Sequence, residues 1–370
     1  MLAEGTPGMV AQAHALVMAH GWNTTAYQIL NPGFRYWFDP AGDAVAGVVP
    51  TRGVWVVGGA PVCAAGRLAA VSARLEADAL SVGARVCYVA AQDRLEGIKR
   101  TDPSASRLYL GAEPCWDPGR WAEILAGHAS VRAQVARARN KGVEVAERRL
   151  RRDEAAALLG EVQREWLADK GLPPLGFLTM PWLLDRLDDR RLFVATRRGE
   201  VTGFAVLTPV PGRAGWLIEQ IARRPSAPNG VGELLVDAIF RQLAAEGVGF
   251  VSLGIVPLSR RADGLDTAPW WLRAMFSWAR VHGRRFYNFD GLDRFKAKLY
   301  PDAWLPVYAL LSVPSPTPAL MWGVLEAVVG GSPLAFLGAT GLRALRSEWT
   351  GLRVKLSKQE TKKGPSGAPS

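Results

Sequence analysis

Apolar positions along the first part of the chain fall into two kinds of pattern, dense short runs and a three-and-four spacing. Between Tyr36 and Ala64 the runs are brief, Ala44 to Val49 and Val54 to Val57, and are broken by Gly and Pro, as in a β-meander. From Gly66 to Leu80 the residues Leu68, Val71, Leu75 and Ala79 recur at helical spacing on one face. The run Val86 to Ala90, after Gly83, reads as a buried strand. The same succession returns later. Strands are predicted over Leu192 to Ala195, Val201 to Leu207 and Gly215 to Ala222. A helix then spans Gly232 to Glu246, with Leu235, Ala238, Ile239 and Leu243 on one face, and a strand spans Val248 to Leu253. Strands, turn, helix and strand thus occur twice, which predicts a duplicated α/β unit. Helices over Pro118 to Gly142, Asp153 to Gly171 and Pro181 to Asp188 lie between the two units as links and covers.

The pattern changes again near the end. Pro314, Pro316 and Pro318 read as a linker, and Pro318 to Leu345 is apolar apart from Glu326 and Arg343. Gly330, Gly331 and Pro333 divide that stretch into pieces shorter than the ~20 helical residues a bilayer core requires. Two readings stand for it: an apolar segment lying in a membrane interface, or a helical hairpin packed on the body. From Arg343 onward seven Lys and Arg face only Glu348 and Glu360, the last of them in a Ser- and Gly-containing tail that reads as disordered. The expected organisation is a first unit over residues 1–145, a second, catalytic unit over residues 146–313, and a linker, interfacial segment and basic tail over residues 314–370.

Composition narrows the function. With 370 residues, 49% of them hydrophobic, the chain can bury two ordinary cores. A net charge of +11 draws polyanions to the surface, and RNA and anionic lipid both qualify. Three cysteines, odd in number and without CxxC spacing, suit a reducing cytoplasm and neither a disulfide scaffold nor a zinc site. His14, His20, His128 and His282 lack ligand spacing with acidic residues or Cys, so no metal is expected. Neither a secretory leader nor a spanning segment is read from the pattern.

Some residues carry candidate chemistry. Ala227 to Gly232 (APNGVG) follows a strand and opens a helix, where backbone N–H groups can cradle a phosphate; the alternative is a turn and helix cap. Glu219 lies between Ile218 and Ile221 on a predicted strand, so it is either functional or buried as a pair with Arg223. Arg294 and Lys298 share a helical face, with Phe295 and Leu299 turned to the core. Arg132, Arg137, Arg139, Lys141, Arg148, Arg149, Arg151 and Arg152 form the densest basic run, suited either to phosphate backbones and headgroups or to a solvated face. Trp270, Trp271 and Trp278, at near-helical spacing, read as core or groove lining.

Six segments, in order, resemble the catalytic domain of the phosphatidylglycerol lysyltransferase family, the soluble half of the multiple peptide resistance factors. They are GAEPCWDP (Gly111 to Pro118), VRAQVARARNKGV (Val131 to Val143), EWLADKGLPPLGFL (Glu165 to Leu178), RRPSAPNGVGELL (Arg223 to Leu235), SLGIVPL (Ser252 to Leu258) and YNFDGLDRFKAKLYPDAWLPVY (Tyr287 to Tyr308). The resemblance covers about His20 to Leu311 and implies two tandem GNAT-like acyltransferase domains with mixed β-sheets. It also implies transfer of an aminoacyl group from aminoacyl-tRNA to a lipid hydroxyl such as that of phosphatidylglycerol, with no cofactor required and no DNA partner. The protein would then be cytoplasmic and peripheral at the inner face of the membrane. Carried over residue by residue, the catalytic candidates are Glu219, Glu233 and Lys298. Gln220, Arg223, Asn229, Gly230, Asp290, Arg294 and Lys296 are the substrate-binding candidates, and Arg132, Arg137, Arg139 and Lys141 the tRNA or anion contacts. The family's acidic residue on the strand aligns with Glu219 or Gln220. Leu305 stands where the closing motif usually has an acidic residue. Two rival functions remain: a GNAT-type acyltransferase using a CoA thioester or acyl-carrier protein on an amino lipid or small acceptor, and a non-catalytic lipid- or RNA-binding module.

Overall fold

The computed structural model describes residues 2–168, 177–178, 187–263, 269–275 and 289–332. Helix α1 (Pro7–His20) starts at Thr6, whose side chain accepts a hydrogen bond from the Met9 amide. Strands β1 (Arg35–Phe38), β2 (Val45–Thr51) and β3 (Val54–Gly58) form the predicted meander, with Val48 opposite Arg35 and Val57. Helix α2 (Leu68–Ser81) crosses over and delivers β4 (Arg85–Ala91) parallel to β3, placing Cys87 beside Val56. Helix α3 (Asp93–Lys99) and the long strand β5 (Ser106–Trp116) complete the first unit.

The expected helix over Pro118 to Gly142 is two helices, α4 (Trp121–Gly127) and α5 (Ala129–Asn140). His128, at φ −124° and ψ 92°, leaves the helical region between them, so the chain turns instead of continuing. Strand β6 (Val143–Arg148) and helix α6 (Arg152–Ala168) follow, the latter starting within one residue of the predicted Asp153. The helix predicted over Pro181 to Asp188 lies for the most part outside the described residues.

The second unit repeats the first. Strands β7 (Arg191–Arg197), β8 (Glu200–Val210) and β9 (Gly215–Arg223) are antiparallel, α7 (Val231–Ala245) crosses over, and β10 (Val251–Ser252) runs parallel to β9. The short strand β11 (Val256–Pro257) pairs with β5. After α8 (Phe289–Ala297), strand β12 (Ala303–Leu311) returns to the first unit and lies between β4 and β5. Among the described residues the two units therefore share one 12-stranded sheet, ordered β1-β2-β3-β4-β12-β5-β10-β9-β8-β7-β6, with β11 off that order on β5. This is the mixed, duplicated α/β fold that the resemblance implies. The seam between the units is a strand junction, β5 with β10, so side chains near it are held by backbone pairing from both sides.

Each unit has its own apolar core. One gathers Leu68, Val71 and Leu75 of α2 against Val48, Val57 and Tyr88. The other gathers Leu235, Ile239, Phe240 and Leu243 of α7 with Val135 of α5, Phe193 and Ile218. Helix α9 (Pro318–Val329) buries Leu320, Val324 and Ala327 in a third cluster with Val54, Val56 and Leu311. The described part of the C-terminal apolar stretch thus packs on the body, while Trp322 and Leu325 face outward. No helix among the described residues is long and apolar enough to cross a membrane.

Candidate active site at the junction of the two units

Glu233 occupies the first turn of α7, where the exposed amides of a helix start favour a carboxylate. Lys298 follows the end of α8 and donates a hydrogen bond to the Glu233 carboxylate. The Lys298 side chain is 43% exposed and that of Glu233 9%, so the pair presents its cation outward and its carboxylate beneath. The Lys298 ammonium also lies 5.1 Å from the Phe295 ring centre. Phe295 packs on the core and Leu299 is fully buried, as the helical pattern predicts.

Glu219 sits apart from that pair. Its carboxylate accepts from Gln28 Nε2 at 3.0 Å, from Arg190 Nη2 at 3.4 Å and from the Thr208 hydroxyl. The expected pairing with Arg223 is corrected: the partner is Arg190, whose side chain is as buried as that of Glu219, whereas Arg223 ends β9 exposed. Gln28 comes from the first unit, so this cluster ties the units together. Gln220 is buried beside it.

The loop before α7 packs against α5 at Gly230. Gly230 has φ 96°, a left-handed conformation that only Gly adopts freely, and a Cβ there would come within 2.1 Å of the Gln134 carbonyl oxygen of α5. The Gln134 carbonyl of α5 thus packs against the turn at Gly230, and the start of α7 carries no side-chain cap, so the phosphate-cradle and the turn readings of Ala227 to Gly232 both stand. Asn229 remains exposed beside it.

Lys296 turns inward. Its ammonium donates to the carbonyls of Leu253 at 2.6 Å, Gly254 at 2.8 Å and Ile255 at 3.2 Å, taking up all three N–H groups. Burial pulls its pKa down to about 7, and the Glu113 carboxylate opposes that shift. Lys296 thus pins the turn between β10 and β11. Arg294, on the same helix, is exposed and donates to the Asp290 carbonyl at 3.1 Å.

Sequence reasoning missed a buried centre on the seam. Glu113 of β5, 1% exposed, accepts hydrogen bonds from Thr24 at 3.2 Å, from Gln92 and from Ser252 of β10. Burial raises its pKa, and the Ser252 and Thr24 hydroxyls pull the other way. Glu113 and Ser252 stand in GAEPCWDP and SLGIVPL, segments quoted for the resemblance without their polar residues being singled out. Both are closed off from solvent, and their hydrogen bond joins β5 to β10 across the seam.

The basic candidates divide. Arg132 donates to the carbonyls of Leu125 and Ala126 at the end of α4. Arg139 bonds the fully buried Asp237 of α7, which also accepts from Trp121 Nε1 and Arg241 Nε, each at 2.9 Å. Arg137 and Lys141 are exposed, and their cationic groups have no partner among the described residues. Among the described residues no cluster of His, Cys, Asp and Glu could hold a metal ion. Trp270 is 75% exposed, Trp271 packs on the core, and Trp278 lies outside the described residues.

Comparison with known proteins places this geometry. Over 209 residues the chain is 28% identical to the lysylphosphatidylglycerol biosynthesis bifunctional protein LysX of Mycolicibacterium gilvum (strain PYR-GCK), covering 55% of this chain and 18% of that protein. The match thus spans less than a fifth of the curated relative. The fold is shared with the structure of L-PGS from Bacillus licheniformis at a TM-score of 0.74 and 21% identity, covering 89% of this chain and 98% of that one. It is also shared with the C-terminal domain of an Agrobacterium fabrum protein described as a lysylphosphatidylglycerol synthetase, at a TM-score of 0.71 and 22% identity, covering 88% and 98%. Residues 14–311 match the family described as phosphatidylglycerol lysyltransferase, C-terminal, which takes in both units and the seam between them, and the chain belongs to that family.

Proposed function

We propose that the protein transfers an aminoacyl group from aminoacyl-tRNA to a hydroxyl of an anionic lipid such as phosphatidylglycerol. Attack of a hydroxyl on an ester needs a group that takes the hydroxyl proton and a positive charge that stabilises the oxyanion. The observation that carries the reading is the Glu233–Lys298 pair, a shielded carboxylate under an exposed ammonium in a member of this family. Lys298 meets the ester carbonyl, and the Glu233 carboxylate takes the proton of the attacking lipid hydroxyl and passes it to the ribose oxygen of the leaving tRNA. Glu219, with Gln28 and Arg190, keeps the two units in register around the site. Arg137 and Lys141 are the α5 cations left to meet RNA phosphates. Helix α9, with Trp322 and Leu325 outward, offers an apolar surface to the membrane that holds the acceptor.

Expression in a host lacking aminoacylated lipids, followed by lipid extraction and mass spectrometry, tests the reading. A new aminoacyl-lipid species supports it. An N-acylated lipid in its place would establish the acyltransferase alternative.

A further inference from the structure

Two side chains that the proposed chemistry does not use meet face to face beside the candidate site. The rings of His128 and Tyr300 lie 3.3 Å apart at their centres and within 6° of parallel. Each occupies a backbone position that favours another residue. His128 stands at the start of α5 at φ −124° and ψ 92°, where Ser, Thr, Asp or Asn would cap the helix, and its side chain makes no cap. Tyr300 follows the last turn of α8 at φ 51°, the left-handed conformation in which Gly usually ends a helix. It is 40% exposed, so burial alone does not account for a large ring there.

Lys298 lies on the same closing turn, two residues before Tyr300. Its amide donates to the Arg294 carbonyl at 3.0 Å, and the Tyr300 amide donates to the Ala297 carbonyl at 3.0 Å. From the β5 side the turn is held by Trp116, whose Nε1 donates to the Leu299 carbonyl at 3.0 Å, and by the Asp302 amide, which donates to the Cys115 carbonyl at 3.0 Å. The ring stack holds it from the α5 side. Helix α5 also reaches the other partner, because its Gln134 carbonyl packs against Gly230 in the turn that leads to Glu233. One helix therefore braces both elements that carry the Glu233–Lys298 pair.

We propose that Tyr300, stacked on His128, is a positioning residue that keeps the Lys298 ammonium on the Glu233 carboxylate. The inference rests on the transfer reaction proposed for that pair. A looser turn lets the ammonium leave the carboxylate, so that oxyanion contact and proton acceptor no longer face one ester together.

The test compares Tyr300→Gly, Tyr300→Phe and His128→Ala in the full chain by two readouts. In the transfer assay Tyr300→Gly and His128→Ala are expected to lower kcat by about tenfold or more with little change in KM for the lipid. Tyr300→Phe keeps the ring and is expected to retain the wild-type kcat. Gly suits φ 51°, so Tyr300→Gly is expected to melt within a few degrees of the wild type. The second readout needs no transfer: acylation of the Lys298 amine by an N-hydroxysuccinimide ester, followed by mass spectrometry. An ammonium held by a carboxylate must leave it before its amine can react. Tyr300→Gly is expected to speed this labelling by about threefold or more, and to add nothing in a Glu233→Gln background. Unchanged labelling in Tyr300→Gly overturns the proposal, as does an equal gain in both backgrounds, which would make the ring a shield over Lys298. A lower melting temperature with unchanged kcat also overturns it. If the labelling behaves as expected while the wild type transfers nothing, the positioning stands and the transfer reading fails.

Discussion

Lys298 and Glu233, 65 positions apart in sequence, form an ion pair that joins the end of α8 to the first turn of α7. With Lys298 43% exposed, the pair adds only about 0–1 kcal/mol to stability. Removing either partner therefore tests its part in the chemistry at little cost to the fold. Lys298→Ala and Glu233→Gln are expected to lower turnover by about 100-fold or more while the melting temperature moves by a few degrees at most. Steady-state assays beside thermal melts check this. Wild-type turnover in both variants would remove the pair from the mechanism.

The α5 cations separate RNA contact from folding. Reversing Arg137 and Lys141 to Glu leaves the melting temperature unchanged and flattens the log–log salt dependence of tRNA binding by about one unit per lost phosphate contact. Arg139→Glu behaves differently, because it sets a second carboxylate against Asp237, which has no exposure. Trp121 and Arg241 still hold Asp237, so the expected loss is about 1–3 kcal/mol. Denaturant melts and filter binding distinguish the two. An unchanged salt slope in the Arg137 and Lys141 double variant assigns that face to solvent.

Lys296 is expected to make stability depend on pH, because burial lowers its pKa. Its folded pKa, about 7, lies below the value of an unfolded lysine, so between about pH 7 and 10 the unfolded chain holds a proton that the folded chain has released. Stability contributed by this group therefore rises with pH across that window, by up to about 1.4 kcal/mol per unit. Lys296→Met lacks that slope and also loses the three carbonyl contacts that pin residues 253–255. Denaturant midpoints of both proteins from pH 6.5 to 10 test it. Parallel curves would show that Lys296 does not titrate there.

Helix α9 belongs to the folded body. A chain ending at Val313 uncovers the cluster that Leu320, Val324 and Ala327 complete, and burial of one such Leu or Val side chain is worth about 1.5–3 kcal/mol. Its melting temperature is expected to fall. It is also expected to float less with anionic vesicles than the full chain, because Trp322 and Leu325 leave with the helix. Equal flotation of both would place membrane contact elsewhere.

Much of the fold was legible because local pattern and tertiary role agree. The strand runs and the α2 and α7 faces coincide with β2, β3, β4, β7, β8 and β9 and their crossovers to within a few residues. Where contacts are long-range, the pattern was silent. Strand β5 carries Pro114 and polar residues within its apolar run and β12 carries Pro306, and their pairing across the sheet is invisible locally. The single helix read over Pro118 to Gly142 missed the break at His128, because an apolar period alone does not mark a change of backbone direction there. The site was half legible. Glu233 and Lys298 were nominated separately from motifs, and only the fold brings them together. Arg190, the partner of Glu219, lies 29 positions away, while the nearer Arg223 was the local choice. Glu113 was overlooked because a carboxylate next to Pro in a short motif reads as a turn until a strand on each side is known.

The central claim is that this chain moves an aminoacyl group onto lipid through the Glu233–Lys298 pair. Its most direct measurement follows the radiolabelled amino acid of charged tRNA into chloroform-soluble material, using phosphatidylglycerol vesicles and either wild-type protein or Lys298→Ala. Label is expected in a new lipid for the wild type, with a loss of about 100-fold or more in rate for the variant with its fold intact. Failure of the wild type to move label from any charged tRNA, or equal rates in the two proteins, would contradict it.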